Sequence, residues 1–230
     1  MDHDEKPEDH IERGPAWGTR STGEHRWPAA VAVLLAALLQ VVLPEQVVRG
    51  LGPKLLVPGL EVALLAILLV ANPGRITRES TLLRRLSLAL IALVNLGNVV
   101  SLVELLQRLV QGHTTGKALV FASLPIWLTN VIVFGLWYWE LDRGGPGARC
   151  SSRRVRPDFL FPQMTTPGSS PGWTPGFLDY LYTSFTNATA FSPTDTMPLT
   201  AAAKVLMMVQ SLASLVLVAV VVSRAVNILS

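Results

Sequence analysis

A single cysteine, Cys150, among 230 residues excludes an internal disulfide. The four histidines, His3, His10, His25 and His113, are scattered, and none is spaced with a second ligand as a metal site requires, so no metal is expected. Charge is scarce at 15% of residues, and the net charge of +3 is not gathered into a basic, aromatic-interleaved patch, which argues against a nucleic-acid partner. Catalysis needs a nucleophile with a base, or converging carboxylates. Glu140 with Asp142 and Asp158 with Asp179 are isolated acids without a histidine or cysteine partner, so no enzyme and no cofactor are expected. Gly144-Gly145-Pro146-Gly147 has no strand before it and reads as a turn, not a phosphate loop. The chain does not open on a basic segment with an early apolar core, so no cleaved signal peptide is expected.

What the chain has is apolar length. Half of its residues are hydrophobic, mean hydropathy is +0.42, and the charges avoid the middle of the apolar runs, a balance that points to lipid. Residues 1–26 hold seven acidic and four basic side chains and almost no aliphatic ones, which predicts a disordered tail. Five runs follow: Trp27 to Leu43, Leu55 to Ala71 with Pro58 and Gly59 interrupting it, Leu86 to Leu109, Ala118 to Leu141, and Ala201 to Asn227. The last three are long enough for a hydrocarbon layer of about 30 Å; the first two are near the lower limit and predict a tight helical hairpin. Trp137-Tyr138-Trp139 reads as an interfacial belt. Pro58 and Pro125 form a faint pair of helix interruptions of the kind that transporters carry, without an internal repeat to support it.

Polar residues inside these runs are the first candidates for function. Asn95, Asn98, Ser101 and Glu104 form a row with a spacing of three, beside Gly97, suited to helix contact or to a polar pathway. Glu61 and Glu104 are intramembrane carboxylates, which are costly and face a bundle interior, unless they snorkel to the interface from near a run's end. Asn130 reads as a packing contact.

Asp142 to Pro175 turns to Arg, Gly, Pro and Ser and reads as a solvent-side loop whose five arginines orient the chain or attract anionic lipid. Residues 176–230 then give a short segment, Phe177 to Ala190, a polar loop and a long apolar helix. The segment is too short and polar to span alone. At helical period Phe177, Leu178, Leu181, Tyr182 and Phe185 share one face, and Thr183, Thr186 and Asn187 another. Irregular backbone such as Phe191 to Pro198 is tolerated at membrane depth only when covered by protein or water. The pattern is that of a pore loop.

The run from Ser184 to Thr200 resembles the filter region of potassium-channel-type pores. Ser184, Phe185, Thr186, Thr189, Asp195, Pro198 and Thr200 match without a gap, with Lys204 at the early inner-helix position. Asp179, Tyr182, Phe185, Thr186 and Val226-Asn227-Ile228-Leu229 also resemble a family of uncharacterised bacterial multi-pass membrane proteins. The first resemblance implies a tetrameric cation pore whose filter-like residues are Thr186, Thr189, Ser192, Pro193, Thr194 and Asp195. Phe191-Ser192-Pro193-Thr194 stands where that family has Val-Gly-Tyr-Gly. The glycine angles are lost and Pro193 fixes φ near −65°, which argues against a potassium-selective queue of carbonyls. Ser214 replaces the hinge glycine of the inner helix. What remains is a poorly selective path for monovalent cations or, alternatively, a non-conducting scaffold that keeps the architecture.

Basic residues number thirteen in the tail, in the connection carrying Arg75, Arg78, Arg84 and Arg85, and after the fourth run, against four in the other two connections. This places the N-terminus in the cytoplasm. The expected fold is thus an all-α polytopic membrane bundle of about five transmembrane helices (four of them within 27–141) plus a re-entrant helix, in a bacterial plasma membrane. Its partners would be the lipid bilayer and further copies of itself.

Overall fold

The computed structural model describes residues 23–45, 53–71, 75–76, 81–111, 115–150, 156–166, 172–189 and 195–229. Phe191, Ser192, Pro193 and Thr194 lie outside the described residues, as does most of the N-terminal tail.

The architecture is all-α. Five long helices carry it: α1 (Trp27–Val42), α2 (Leu56–Ala71), α3 (Thr81–Gln111), α4 (Gly116–Leu141) and, closing the chain, α8 (Ala201–Leu229). Three of them, α3, α4 and α8, are long and apolar enough to cross a membrane. Between α4 and α8 come two single-turn helices, α5 (Pro146–Arg149) and α6 (Pro162–Thr165), and the 13-residue α7 (Phe177–Thr189). Two-residue strands pair antiparallel: β1 (Glu24–His25) with β2 (Arg75–Ile76), and β3 (Phe159–Leu160) with β4 (Met197–Pro198). The last residues of the tail, from Gly23 onward, are therefore tied into the fold.

Local sequence explains the helix ends. Pro28 sits in the first turn of α1, where a missing N–H costs nothing, and Leu43 leaves helical geometry just before Pro44. Neither proline expected to break a run does so. Pro58 falls in the first turn of α2, and α4 continues through Pro125. After α4 the chain reverses through three left-handed residues, Arg143 (φ 53°), Gly144 (φ 82°) and Gly145 (φ 99°). Glycine is required at 145, where a Cβ would stand 3.3 Å from the Glu140 carbonyl oxygen.

The long helices alternate in direction. Arg26, just before α1, donates to the Leu68 carbonyl near the end of α2, and Gln40 near the end of α1 meets Glu61 near the start of α2. The start of α3 lies against the end of α4 through Arg84 and Glu140. One end of the bundle thus collects Glu24, β2, the start of α3, the end of α4, and the β3–β4 pair. α4 is the centre, packing against α1, α3, α7 and α8. In its most apolar stretch 67% of residues are buried, against 22% in α8.

Polarity runs the wrong way round for water. α1 buries Ala29, Ala30, Ala32, Ala36 and Ala37 and turns Val31, Leu34, Leu35 and Leu38 outward. α8 buries Gln210 and Ser214 and exposes Met208, Val209, Leu212 and Leu215. Small and polar residues inside, with large aliphatics outside, are the arrangement that lipid favours and water penalises.

Candidate functional site

At about 1.5 Å per residue α7 is about 20 Å long, half the length of α4. It starts at the end of α4, where Phe177 packs edge-on against Trp139 and Tyr180 donates to Asp142 at 2.6 Å. Halfway along α4, Ser184 Oγ donates to the Val131 carbonyl at 2.6 Å and Phe185 meets Trp127. The chain then returns to the end it came from. Thr196 lies against Thr183 with the hydroxyls 3.2 Å apart, and β4 pairs with β3 beside Asp142. From Phe177 to Pro198 the chain thus goes in and comes back on one side.

The inner surface of this half-helix is held by hydrogen bonds. Gln210 of α8, fully buried, donates from Nε2 to Ser184 Oγ at 2.6 Å and to the Ser184 carbonyl at 2.9 Å. Its Oε1 accepts from Tyr138 of α4 at 2.5 Å and from Asn187 Nδ2 at 2.8 Å. Asn187 also donates to the Met207 carbonyl, and Ser211 donates to Asn187 Oδ1 at 3.1 Å. One turn further along α8, Asn130 Nδ2 donates to Ser214 Oγ at 3.0 Å. Three helices are fastened by a ladder whose members satisfy one another, the condition under which buried polar groups are tolerated.

At the end where α7 begins and returns, Asp142 is a buried hub. Its carboxylate accepts from the Asp158 backbone N–H at 2.7 Å, from Tyr180, and from Arg143 Nε at 3.0 Å. Asp158 in turn accepts from Thr200 Oγ1 at 2.7 Å, and Thr200 Oγ1 accepts from the Ala203 N–H, capping the start of α8. Arg149 lies over the Tyr180 ring, 5.2 Å from its centroid, and donates to the carbonyls of Trp139 and Asp142 and to Glu24 Oε1. Glu24 Oε2 accepts from Trp139 Nε1 at 2.6 Å. Burial alone would push the Arg149 guanidinium towards neutrality, but Tyr180, Glu24 and Asp142 outweigh it and raise its pKa above the usual range. Two of the five loop arginines, Arg143 and Arg149, are therefore spent on internal contacts, not presented to lipid headgroups.

The filter-like residues are distributed unevenly. Thr186 and Thr189 donate to backbone carbonyls of their own helix, and Asp195 is exposed. Ser192, Pro193 and Thr194 fall outside the described residues. Of the intramembrane polar residues, Asn130 joins the ladder just described. Glu61 is fully buried with Gln40 Nε2 donating to its Oε1 at 2.8 Å. Asn98 is buried, while Asn95 and Glu104 are half-buried. Among the described residues no group of three or more His, Cys, Asp or Glu is placed to hold a metal.

Sequence pattern did not single out Gln210 or Arg149 for the site they organise, and it read Asp142 as an isolated acid and Tyr138 as part of an interfacial belt, whereas Asp142 is a hydrogen-bonded hub and Tyr138 is fully buried against Gln210. One signal was available: Gln210 and Ser214 stand four apart in an otherwise apolar helix, on one face. No family model, no curated protein and no solved structure matches the chain.

Proposed function

We propose that the chain is an integral membrane protein of five transmembrane helices with a channel-like pore module, in which α7 is a re-entrant half-helix and α8 the inner helix. The observation that carries this reading is the fold-back: α7 begins beside Asp142, reaches the middle of α4, and the chain returns to β3. A segment that enters and leaves on one side is admissible in lipid only where protein or water surrounds it. The exposed aliphatic faces of α1 and α8 supply the lipid contact.

The cation path then lies between copies of the chain, four of them by analogy with the resembled pore. Within one chain the inward polar groups of α7 are consumed by the ladder. The groove of about 220 Å³ between α4 and α8 is lined by apolar residues such as Val120, Leu124, Leu217 and Val221. Asp195, exposed where the chain returns, is the residue that would face permeating cations. Among the described residues, the end of the bundle holding α5, β3 and β4 also carries Arg26, Arg84, Arg85, Arg143, Arg149 and Lys204, and the positive-inside rule favours that end, with the mouth of the loop, as the cytoplasmic side of a bacterial plasma membrane.

A second reading, a non-conducting scaffold, is favoured by Thr186 and Thr189, whose hydroxyls are bonded back to their own helix. Cation flux into liposomes containing the purified protein separates the two. The channel reading expects flux that Asp195→Asn reduces; absence of flux for any monovalent cation leaves the scaffold.

A further inference from the structure

A second polar site lies away from α7, at the junction of α1, α2 and α3. Glu61 is the one charged residue of α2, and α1 has none. Its side chain is wholly buried; Oε1 accepts from Gln40, and Oε2 has no hydrogen-bond partner. Gln40 in turn fills a notch in α3, since a Cβ on Gly97 would lie 3.0 Å from Gln40 Oε1. The neighbouring Asn98 Oδ1 is likewise buried and without a partner.

The charged groups of α3 do not compensate a carboxylate there. Arg84 and Arg85 stand at one end and Arg108 at the other, about 16 to 20 Å along the helix from Gly97. Arg84 reaches Glu140, and Glu104 is itself acidic. Lys54, in the turn before α2, pairs with Glu45. An ionised carboxylate held by one amide, in an apolar layer and with no cation opposite among the described residues, bears a large desolvation cost. A neutral carboxyl removes most of it and turns Oε2 into a donor.

We propose that Glu61, Gln40 and the Gly97 notch form a proton-binding site inside the apolar layer, with the proton carried on Glu61 Oε2. The proposal rests on the membrane reading and is independent of whether α7 belongs to a pore. Gln40 fixes the carboxyl by donating to Oε1, the contact that favours its ionised form. It therefore sets the pH at which the proton leaves.

The test uses the full-length protein in liposomes, treated with dicyclohexylcarbodiimide, which enters lipid and reacts with protonated carboxyls. A lipid-phase photolabel, read at exposed Val62 of α2, serves as an independent report of membrane placement. The expected result is a carbodiimide adduct on Glu61 at neutral pH that declines as pH rises, is indifferent to Na⁺ and K⁺, and persists to higher pH in Gln40→Leu. No adduct at any pH, with Val62 photolabelled, overturns the proton site and leaves the membrane reading standing. Protection of Glu61 by Na⁺ or K⁺ overturns it in favour of a metal-cation site. Failure to photolabel Val62 overturns the membrane placement on which the proposal rests.

Discussion

Replacing Gln210 with leucine removes the centre of the ladder while keeping a side chain of similar size. Four hydrogen bonds vanish: two donated to Ser184 and two accepted from Tyr138 and Asn187. Ser184 retains the Val131 carbonyl and Asn187 retains that of Met207, so the one donor stranded outright is the Tyr138 hydroxyl. Side-chain hydrogen bonds in membrane bundles average about 0.6 kcal/mol each, giving roughly 2.4 kcal/mol for the four. A stranded buried donor adds about 1 kcal/mol. The sum, about 3 kcal/mol, is about two orders of magnitude in the unfolding constant. Reversible denaturation in mixed micelles measures it, with Met208→Leu, on the exposed face of the same helix, as the comparison expected near zero. A Gln210→Leu protein within about 0.5 kcal/mol of the parent would refute the claim that the ladder fastens α7, since packing alone would then suffice.

Arg149→Met leaves the partly buried Glu24 beside Trp139 without its cation and frees two buried carbonyls; a loss of about 3 kcal/mol is expected in the same denaturation assay. Arg149→Lys should not restore it, because an ammonium cannot reach those acceptors with the planar geometry of a guanidinium. Gly145→Ala meets both a left-handed φ and the Glu140 carbonyl, and should cost about 1 to 3 kcal/mol by the same measure. Reporters fused to either terminus should lie on opposite sides of the membrane, as an odd number of crossings requires; finding both on one side would remove the five-span reading.

The sequence located the long helices closely because hydropathy and proline placement are local signals. α1 ends one residue before the apolar run does, and α7 fills nearly all of the short segment expected after Gly176. Which face turns inward was not legible. Phe177, Leu178, Tyr182 and Phe185 sit on one helical stripe, yet Phe177 is buried while Leu178 is 68% and Tyr182 59% exposed. In lipid an apolar stripe has no reason to seek the interior, so packing and hydrogen bonding decide. The Asp142 to Pro175 segment reads as loop from its Gly and Pro content, and composition cannot reveal that Asp142 gathers backbone and side-chain donors from residues up to 38 positions away. Pairing over such distances belongs to the folded chain and leaves no periodic trace.

The central claim is that the chain between Phe177 and Pro198 enters the bilayer and returns on the same side. It is tested most directly by fluorophores on single cysteines at Leu178, Phe185 and Met197, all exposed, with quenchers fixed at known depths in the lipid and Cys150 replaced. The account predicts shallow, deep and again shallow positions, with the first and last labelled by an impermeant reagent from one side only. Depth that changes steadily in one direction, placing Met197 at the opposite face, or free aqueous labelling at all three sites, would contradict it.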